Sequence, residues 1–228
     1  MKRKERILVV AAHPDDEVLG CGGTMAKMAQ DGAEVHILIL GEGITSRQAI
    51  RIKKATKKQL VELKNHIKTA AKIIGAKQTY VYDFPDNRFD TVALLDIIKV
   101  IERVKAEVGP EVIYTHYQGD LNVDHRRVFN AVLTACRPLA SESVKEIYSF
   151  EVPSSTEWSA AEPFRPSVYV DIEDTLEQKI AALRAYRGEI RAWPHPRSAE
   201  AIRIFAQKRG CEAGLNMAEA FQLVRKIK

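Results

Sequence analysis

Short apolar runs alternate with longer segments of helical periodicity along most of this chain, and that alternation restricts it to few architectures. The runs fall at about 6 to 12, 34 to 40, 79 to 84 and 111 to 115, and the helical patterns at about 17 to 31, 47 to 75, 91 to 108 and 124 to 137. Strands separated by helices call for a mainly parallel sheet, because each crossover deposits a helix on one face or the other. Apolar stretches from Ile147 to Val152 and from Val168 to Ile172 add strands, followed by helices over about 173 to 187 and 198 to 210. The expected fold is α/β and Rossmann-like, with helices on both faces of the sheet. With 228 residues, 46% of them hydrophobic, the chain can bury a core. No repeat, low-complexity segment or linker divides it, so residues 1–228 are expected to form a single domain.

Where the first apolar run ends, the sequence reads His13-Pro14-Asp15-Asp16. An imidazole and two adjacent carboxylates therefore sit at the carboxyl end of a buried strand, the edge where open α/β sheets bind ligands. Proline 14 holds His13 extended, and the turn that follows lets His13 and Asp16 converge while Asp15 is aimed elsewhere. That is the layout of a metal-ligand pair beside a free carboxylate; the alternative is that both aspartates only cap the helix. The fourth run is followed by His116-Tyr117-Gln118-Gly119-Asp120-Leu121-Asn122-Val123-Asp124-His125-Arg126, a second strand-end loop with imidazole and carboxylate. A catalytic zinc takes three protein ligands and leaves a position for water. His13, Asp16 and one histidine of the second loop meet that count. His125, at the start of a helix, is chosen over His116, which lies nearer the strand and suits a packing role. His36, in a strand, and His66, on a helix, read as structural.

The motifs His13-Pro14-Asp15-Asp16-Glu17, Gly20-Cys21-Gly22-Gly23 and Asp120-Leu121-Asn122-Val123-Asp124-His125-Arg126 together resemble the LmbE-like (PIG-L) family of zinc-dependent N-acetylglucosaminide deacetylases. The likeness extends through Gly41-Glu42-Gly43, Phe84-Pro85-Asp86-Asn87 and Pro194-His195-Pro196-Arg197, and so covers most of the chain. It implies zinc held by His13, Asp16 and His125, with Asp15 as general base. In one branch of the family a histidine stands at the position of Asn122 and pairs with the aspartate that here is Asp124. Asn122 cannot transfer protons, so this chain resembles the other branch, in which a carboxyl-terminal histidine, here His195, completes the site, in some relatives from a neighbouring subunit. The resemblance thus implies an N-acetylated amino-sugar substrate and a homo-oligomer. Arg47, Asp86 and Asn87, on loops at the same sheet edge, are candidates to hold sugar hydroxyls; turn and capping chemistry is their alternative. A zinc amidase acting on another amide conjugate, or a non-catalytic sugar-binding protein, would use the same metal residues; a binder has no need of the spare base Asp15.

Composition narrows the partners. No apolar stretch approaches the roughly twenty residues of a membrane span, and the amino terminus leads straight into a strand, so a cytoplasmic protein without an integral membrane segment is expected. Cys21, Cys136 and Cys211 form no C-x-x-C pair and read as small buried residues rather than a disulfide framework. The net charge of +5 is concentrated in one helical segment holding Arg51, Lys53, Lys54, Lys57, Lys58, Lys64, Lys68 and Lys72. Leu60, Leu63, Ile67, Ala70 and Ile74 recur at helical spacing and fix its buried stripe, which leaves the lysines as a solvated face. A field attracting an anionic substrate is the other reading, whereas nucleic-acid binding lacks any motif or aromatic interleaving. A dinucleotide fold does not fit either. Its glycines open the helix directly after the strand, but here a segment with Asp15 and Asp16, which would repel a pyrophosphate, intervenes. The glycines of Gly20-Cys21-Gly22-Gly23 are expected to let the helix pack closely.

Overall fold

A computed structural model describes residues 4–43, 57–160 and 162–228. The strands are β1 (Arg6–Ala11), β2 (Glu34–Gly41), β3 (Gln78–Phe84), β4 (Val112–His116), β5 (Glu146–Phe150), β6 (Val168–Asp171) and β7 (Ala218–Lys226). The helices are α1 (Asp16–Gln30), α2 (Lys57–Ile74), α3 (Leu94–Val108), α4 (Val123–Ala135), α5 (Leu176–Ala185) and α6 (Ala199–Ala213). The strands form one sheet in the order β3-β2-β1-β4-β5-β7-β6. The first five pair in parallel, and β7 inserts antiparallel between β5 and β6. The mainly parallel, two-sided α/β fold is therefore present, and it agrees with the expected strands to within two residues at each end. The exception is β7, which the sequence reading did not anticipate. Its alternation is diluted by charge, with Glu219, Arg225 and Lys226 among the strand residues, and a helix-rich approach from α6 gives no crossover signal for an inserted antiparallel strand.

Both faces of β1 are buried, which explains its unbroken apolar run. Ile7 and Val9 point into a core shared with α1, α2, α5 and α6, while Leu8 and Val10 point into one formed with α3 and α4. On α2, Ile67, Ala70 and Ile74 are buried and Lys58, Lys64, Lys68 and Lys72 exposed, as a solvated basic face requires; Arg51, Lys53 and Lys54 lie outside the described residues. Cys21 and Cys136 are buried, but Cys211 is exposed, contrary to expectation. It falls on the solvent side of α6, whose inner face is built by Ala201, Ile202, Ala206, Arg209 and Gly210.

From β1 the chain steps outward to β2 and β3, then returns to place β4 and β5 on the opposite flank. The reversal falls between β1 and β4, so the loops leaving these adjacent strands diverge and open a crevice at their carboxyl ends. His13 and His125 are delivered to that crevice from its two sides.

Candidate metal centre and active site

His13 leaves β1 and is locked to the first turn of α1: its peptide N–H donates to Asp16 Oδ2 at 2.9 Å. Its Nε2 lies 2.9 Å from Asp124 Oδ2 and 3.3 Å from Asp86 Oδ1, and its Nδ1 lies 3.2 Å from Asp16 Oδ2. A proton on Nε2, facing two carboxylates, leaves the Nδ1 lone pair directed toward Asp16. His125, in the first turn of α4, is arranged in the same sense. Its Nε2 lies 3.2 Å from Asp16 Oδ2 and its Nδ1 lies 3.1 Å from Asp120 Oδ1. One ligand atom from each of His13, Asp16 and His125 therefore falls within 4.8 Å of the other two, and all three residues are buried.

The surrounding carboxylates do what outer partners of metal-bound imidazoles do, fixing ring orientation and proton position. Asp124 is wholly buried and also accepts the Phe89 N–H through Oδ1 at 2.9 Å. Asp120 accepts the Asn122 N–H at 2.8 Å and the Ser155 and Thr156 hydroxyls. Burial would raise the Asp120 carboxyl, but His125 and these hydroxyls hold it down at about 2. Burial likewise opposes a charged His125, and Asp16 and Asp120 lift it to about 9. Negative charge here exceeds what the imidazoles neutralise, and two nitrogens plus a carboxylate oxygen form a donor set that suits a divalent cation such as zinc. The residues fit the metal.

His116 is not part of this set. Its Nε2 accepts the Ala12 N–H at 2.8 Å, which occupies the lone pair a metal would need, and its ring stacks on His125 with centroids 3.9 Å apart. It is a buttress for the candidate ligand beside it. His36 is buried and stacks on Tyr80, and His66 Nε2 lies 3.9 Å from Glu62, both away from the cleft.

Asp15 is the N-cap of α1, yet its carboxylate makes no capping hydrogen bond and its backbone is left-handed, with φ at 104°. A non-glycine residue held there costs about 1–3 kcal/mol and persists only where its surroundings impose it. The carboxylate turns into the cleft instead, where Oδ2 accepts from Arg197 Nη1 at 2.8 Å. Burial pushes the Asp15 carboxyl well above the usual range, and Arg197 pulls against it. Capping alone therefore does not account for Asp15.

His13, Asp15, Asp16 and His125 line a cleft of about 620 Å³, mouth included, together with Asp86, Asn87, Asn122, Ser154, Ser155, Glu189 and Arg197. Asn87 donates to Asp86 Oδ1 and accepts from Asn122 Nδ2, each at 3.0 Å, so the two candidate sugar contacts stand in one wall. Arg47 lies outside the described residues. His195 is not among the lining residues: its ring sits 6.5 Å from that of Trp158 and its Nδ1 accepts the Arg197 N–H at 3.1 Å. Sequence reasoning missed Arg197, Glu189, Ser154 and Ser155. Arg197 had a signal as the last member of the Pro194-His195-Pro196-Arg197 motif, and Ser154 and Ser155 lie in the Ser-, Glu- and Pro-rich stretch from Pro153 to Pro166; Glu189 had none.

The pattern of the family described as "PIG-L: GlcNAc-PI de-N-acetylase" matches residues 8–136, from β1 through α4, and so includes both strand-end loops. The chain belongs to this family. It is 29% identical over 191 residues to the uncharacterized deacetylase YaiS of Escherichia coli, covering 81% of this chain and 92% of that protein. It is 26% identical to a probable N-acetyl-alpha-D-glucosaminyl L-malate deacetylase of Bacillus cereus, covering 83% and 86%. It is also 28% identical to a 4-oxalmesaconate hydratase of Pseudomonas putida, covering 82% and 75%. Among solved structures, the N,N'-diacetylchitobiose deacetylase of Pyrococcus horikoshii superposes with a TM-score of 0.76 at 19% identity over 98% of this chain and 85% of that one. Relatives named as deacetylases thus stand beside one named as a hydratase, and the fold is that of the deacetylase structure.

Proposed function

We propose that the protein is a zinc-dependent N-deacetylase that hydrolyses the acetamido group of an N-acetylglucosamine-type substrate to acetate and a free amine. The observation that carries this reading is the pairing of three converging donors, His13, Asp16 and His125, with a carboxylate, Asp15, turned off its helix cap into the same cleft. A divalent metal held by those donors supplies water acidified to near neutrality and a Lewis acid for the carbonyl oxygen. Asp15 takes the proton from the attacking water as general base. The same proton then serves the amide nitrogen as the C–N bond breaks, giving acetic acid and the amine; the second proton of the water passes from the acid to the amine, so the products are acetate and an ammonium group, with atoms and charge in balance. Two adjacent carboxylates thereby take different roles, because Asp16 faces both ligand imidazoles and Asp15 faces Arg197. Asp86, Asn87 and Asn122 present acceptors and amide N–H groups along one wall, the chemistry that holds sugar hydroxyls.

The test is incubation of the zinc-loaded protein with N-acetylglucosamine, its glycosides and N,N'-diacetylchitobiose, reading acetate and free amine together. Release of both in equal amounts is expected. The hydratase relative defines the rival outcome, since a water-activating site can also add water to a carbon–carbon double bond. Hydration of an unsaturated dicarboxylate with no acetate from any sugar would overturn the deacetylase reading.

A further inference from the structure

We propose that Arg197 is a positioning residue that sets the orientation of the Asp15 carboxylate, and that His195 acts by holding Arg197. This rests on Asp15 being the general base. Arg197 is fixed from three loops: Nη1 donates to Asp15 Oδ2 at 2.8 Å and to Glu189 Oε2 at 3.3 Å, and Nε donates to Ser154 Oγ at 2.7 Å. These partners, around a half-buried side chain, pin the guanidinium plane, and the planar fork of arginine transmits that fixity to the carboxylate it binds. Asp15 needs such a restraint. Its backbone is left-handed and its side chain has abandoned the capping position that an aspartate at a helix start ordinarily takes. Val18 and Leu19 N–H groups are already bonded to the Asp15 carbonyl, at 3.0 and 2.9 Å, so these helix donors do not hold the carboxylate, and its direction is set by Arg197. With Arg197 on Oδ2, Oδ1 has no protein partner among the described residues and is the oxygen left to take a proton.

The loop that carries Arg197 is built to place it. His195 N–H donates to Ala192 O at 3.1 Å, Ser198 N–H donates to His195 O at 2.9 Å, and Ser198 Oγ caps α6 by accepting from the Ala201 N–H. His195 Nδ1 accepts the Arg197 N–H, so the imidazole braces the backbone of the residue that reaches the cleft while its own ring stays outside.

Arg197→Ala and Arg197→Lys, loaded with zinc, test this with the best N-acetyl sugar of the panel above. For Arg197→Ala we expect kcat to fall on the order of a hundredfold, the penalty of a misplaced reacting group, with KM within about twofold and zinc content unchanged. Added guanidinium ion should restore part of kcat in Arg197→Ala, and Arg197→Lys should retain more activity than Arg197→Ala. A crystal structure of Arg197→Ala should show the Asp15 carboxylate rotated away from its wild-type position. An unchanged kcat, a rise in KM matching the whole loss, or an unmoved Asp15 carboxylate would overturn the proposal. If the wild-type protein deacetylates no sugar, the functional reading fails instead, and the Asp15 position in the crystal structure still decides the role of Arg197.

Discussion

The stacked histidines His116 and His125 show how a single lone pair decides a residue's role. His116 and His125 stack face to face within van der Waals reach, but the Ala12 N–H is already bonded to His116 Nε2, whereas His125 Nε2 faces Asp16. His125→Ala should therefore strip most of the metal from purified protein, while His116→Ala should retain it, with elemental analysis as the measurement; an empty His116→Ala site beside a full His125→Ala site would reverse the assignment. Asp124→Asn, which replaces the acceptor behind His13, should weaken metal affinity by about ten- to a hundredfold, read by competition with a chelator. Asp15→Asn should keep its metal and lose about a hundredfold to ten-thousandfold in turnover, because a base is removed and no ligand is. Much of this was legible in the sequence. His13, Asp15, Asp16 and His125 lie in two short motifs at strand ends, and local spacing constrains them. The roles of Arg197 and Glu189 were not: Arg197 stands in a recognisable motif, but its contact with Asp15 spans most of the chain, and Glu189 joins only through Arg197.

At the scale of elements, the segment Gly20-Cys21-Gly22-Gly23 shows what the glycines under the site are for. A Cβ at Gly20 would stand 2.2 Å from Phe150 Cδ2, and one at Gly23 would stand 2.9 Å from Ile172 Cβ, so α1 lies directly against β5 and the approach to α5. Close packing is not the whole account. Helix α1 breaks at Cys21, where φ is −145°, and the N–H groups of Gly23 and Thr24 donate to the carboxylate of Glu219 at 3.0 and 2.7 Å. A strand residue from the far end of the chain thus caps the second half of the helix, and Lys179 Nζ neutralises it at 2.6 Å while also donating to Leu19 O. That pair explains why β7, hard to recognise from its own sequence, sits where it does: its one fully enclosed acid satisfies backbone donors that the break in α1 would otherwise leave bare. Removing one member of such a buried pair strands the other charge, so Glu219→Ala should destabilise the fold by about 3–5 kcal/mol in denaturant unfolding. Lys179→Met combined with Glu219→Gln should lose less than the sum of the single changes, and strict additivity would show that the two side chains act independently.

At the scale of the molecule, the strand order β3-β2-β1-β4-β5-β7-β6 puts β1 beside β4, and that adjacency joins two motifs separated by about half the chain. The alternation of strands and helices in the sequence carried this far, because parallel strands with both faces covered leave their ligand crevice at a point of reversal. It did not carry to the third wall of the cleft, formed by Ser154 after β5 and by Glu189 and Arg197 before α6, since these loops follow no periodicity. The third wall also bears on assembly. The family resemblance allows His195 to complete the site of a neighbouring subunit, whereas here Asp15, Arg197 and His195 are linked within one chain. If His195 acts through Arg197 on its own Asp15, then His195→Ala lowers kcat with zinc retained, and mixing His195→Ala with Asp15→Asn chains leaves activity at the sum of the two. Recovery of activity on mixing, with hybrid oligomers confirmed by mass, would mean instead that an intact His195 had been supplied across a subunit interface.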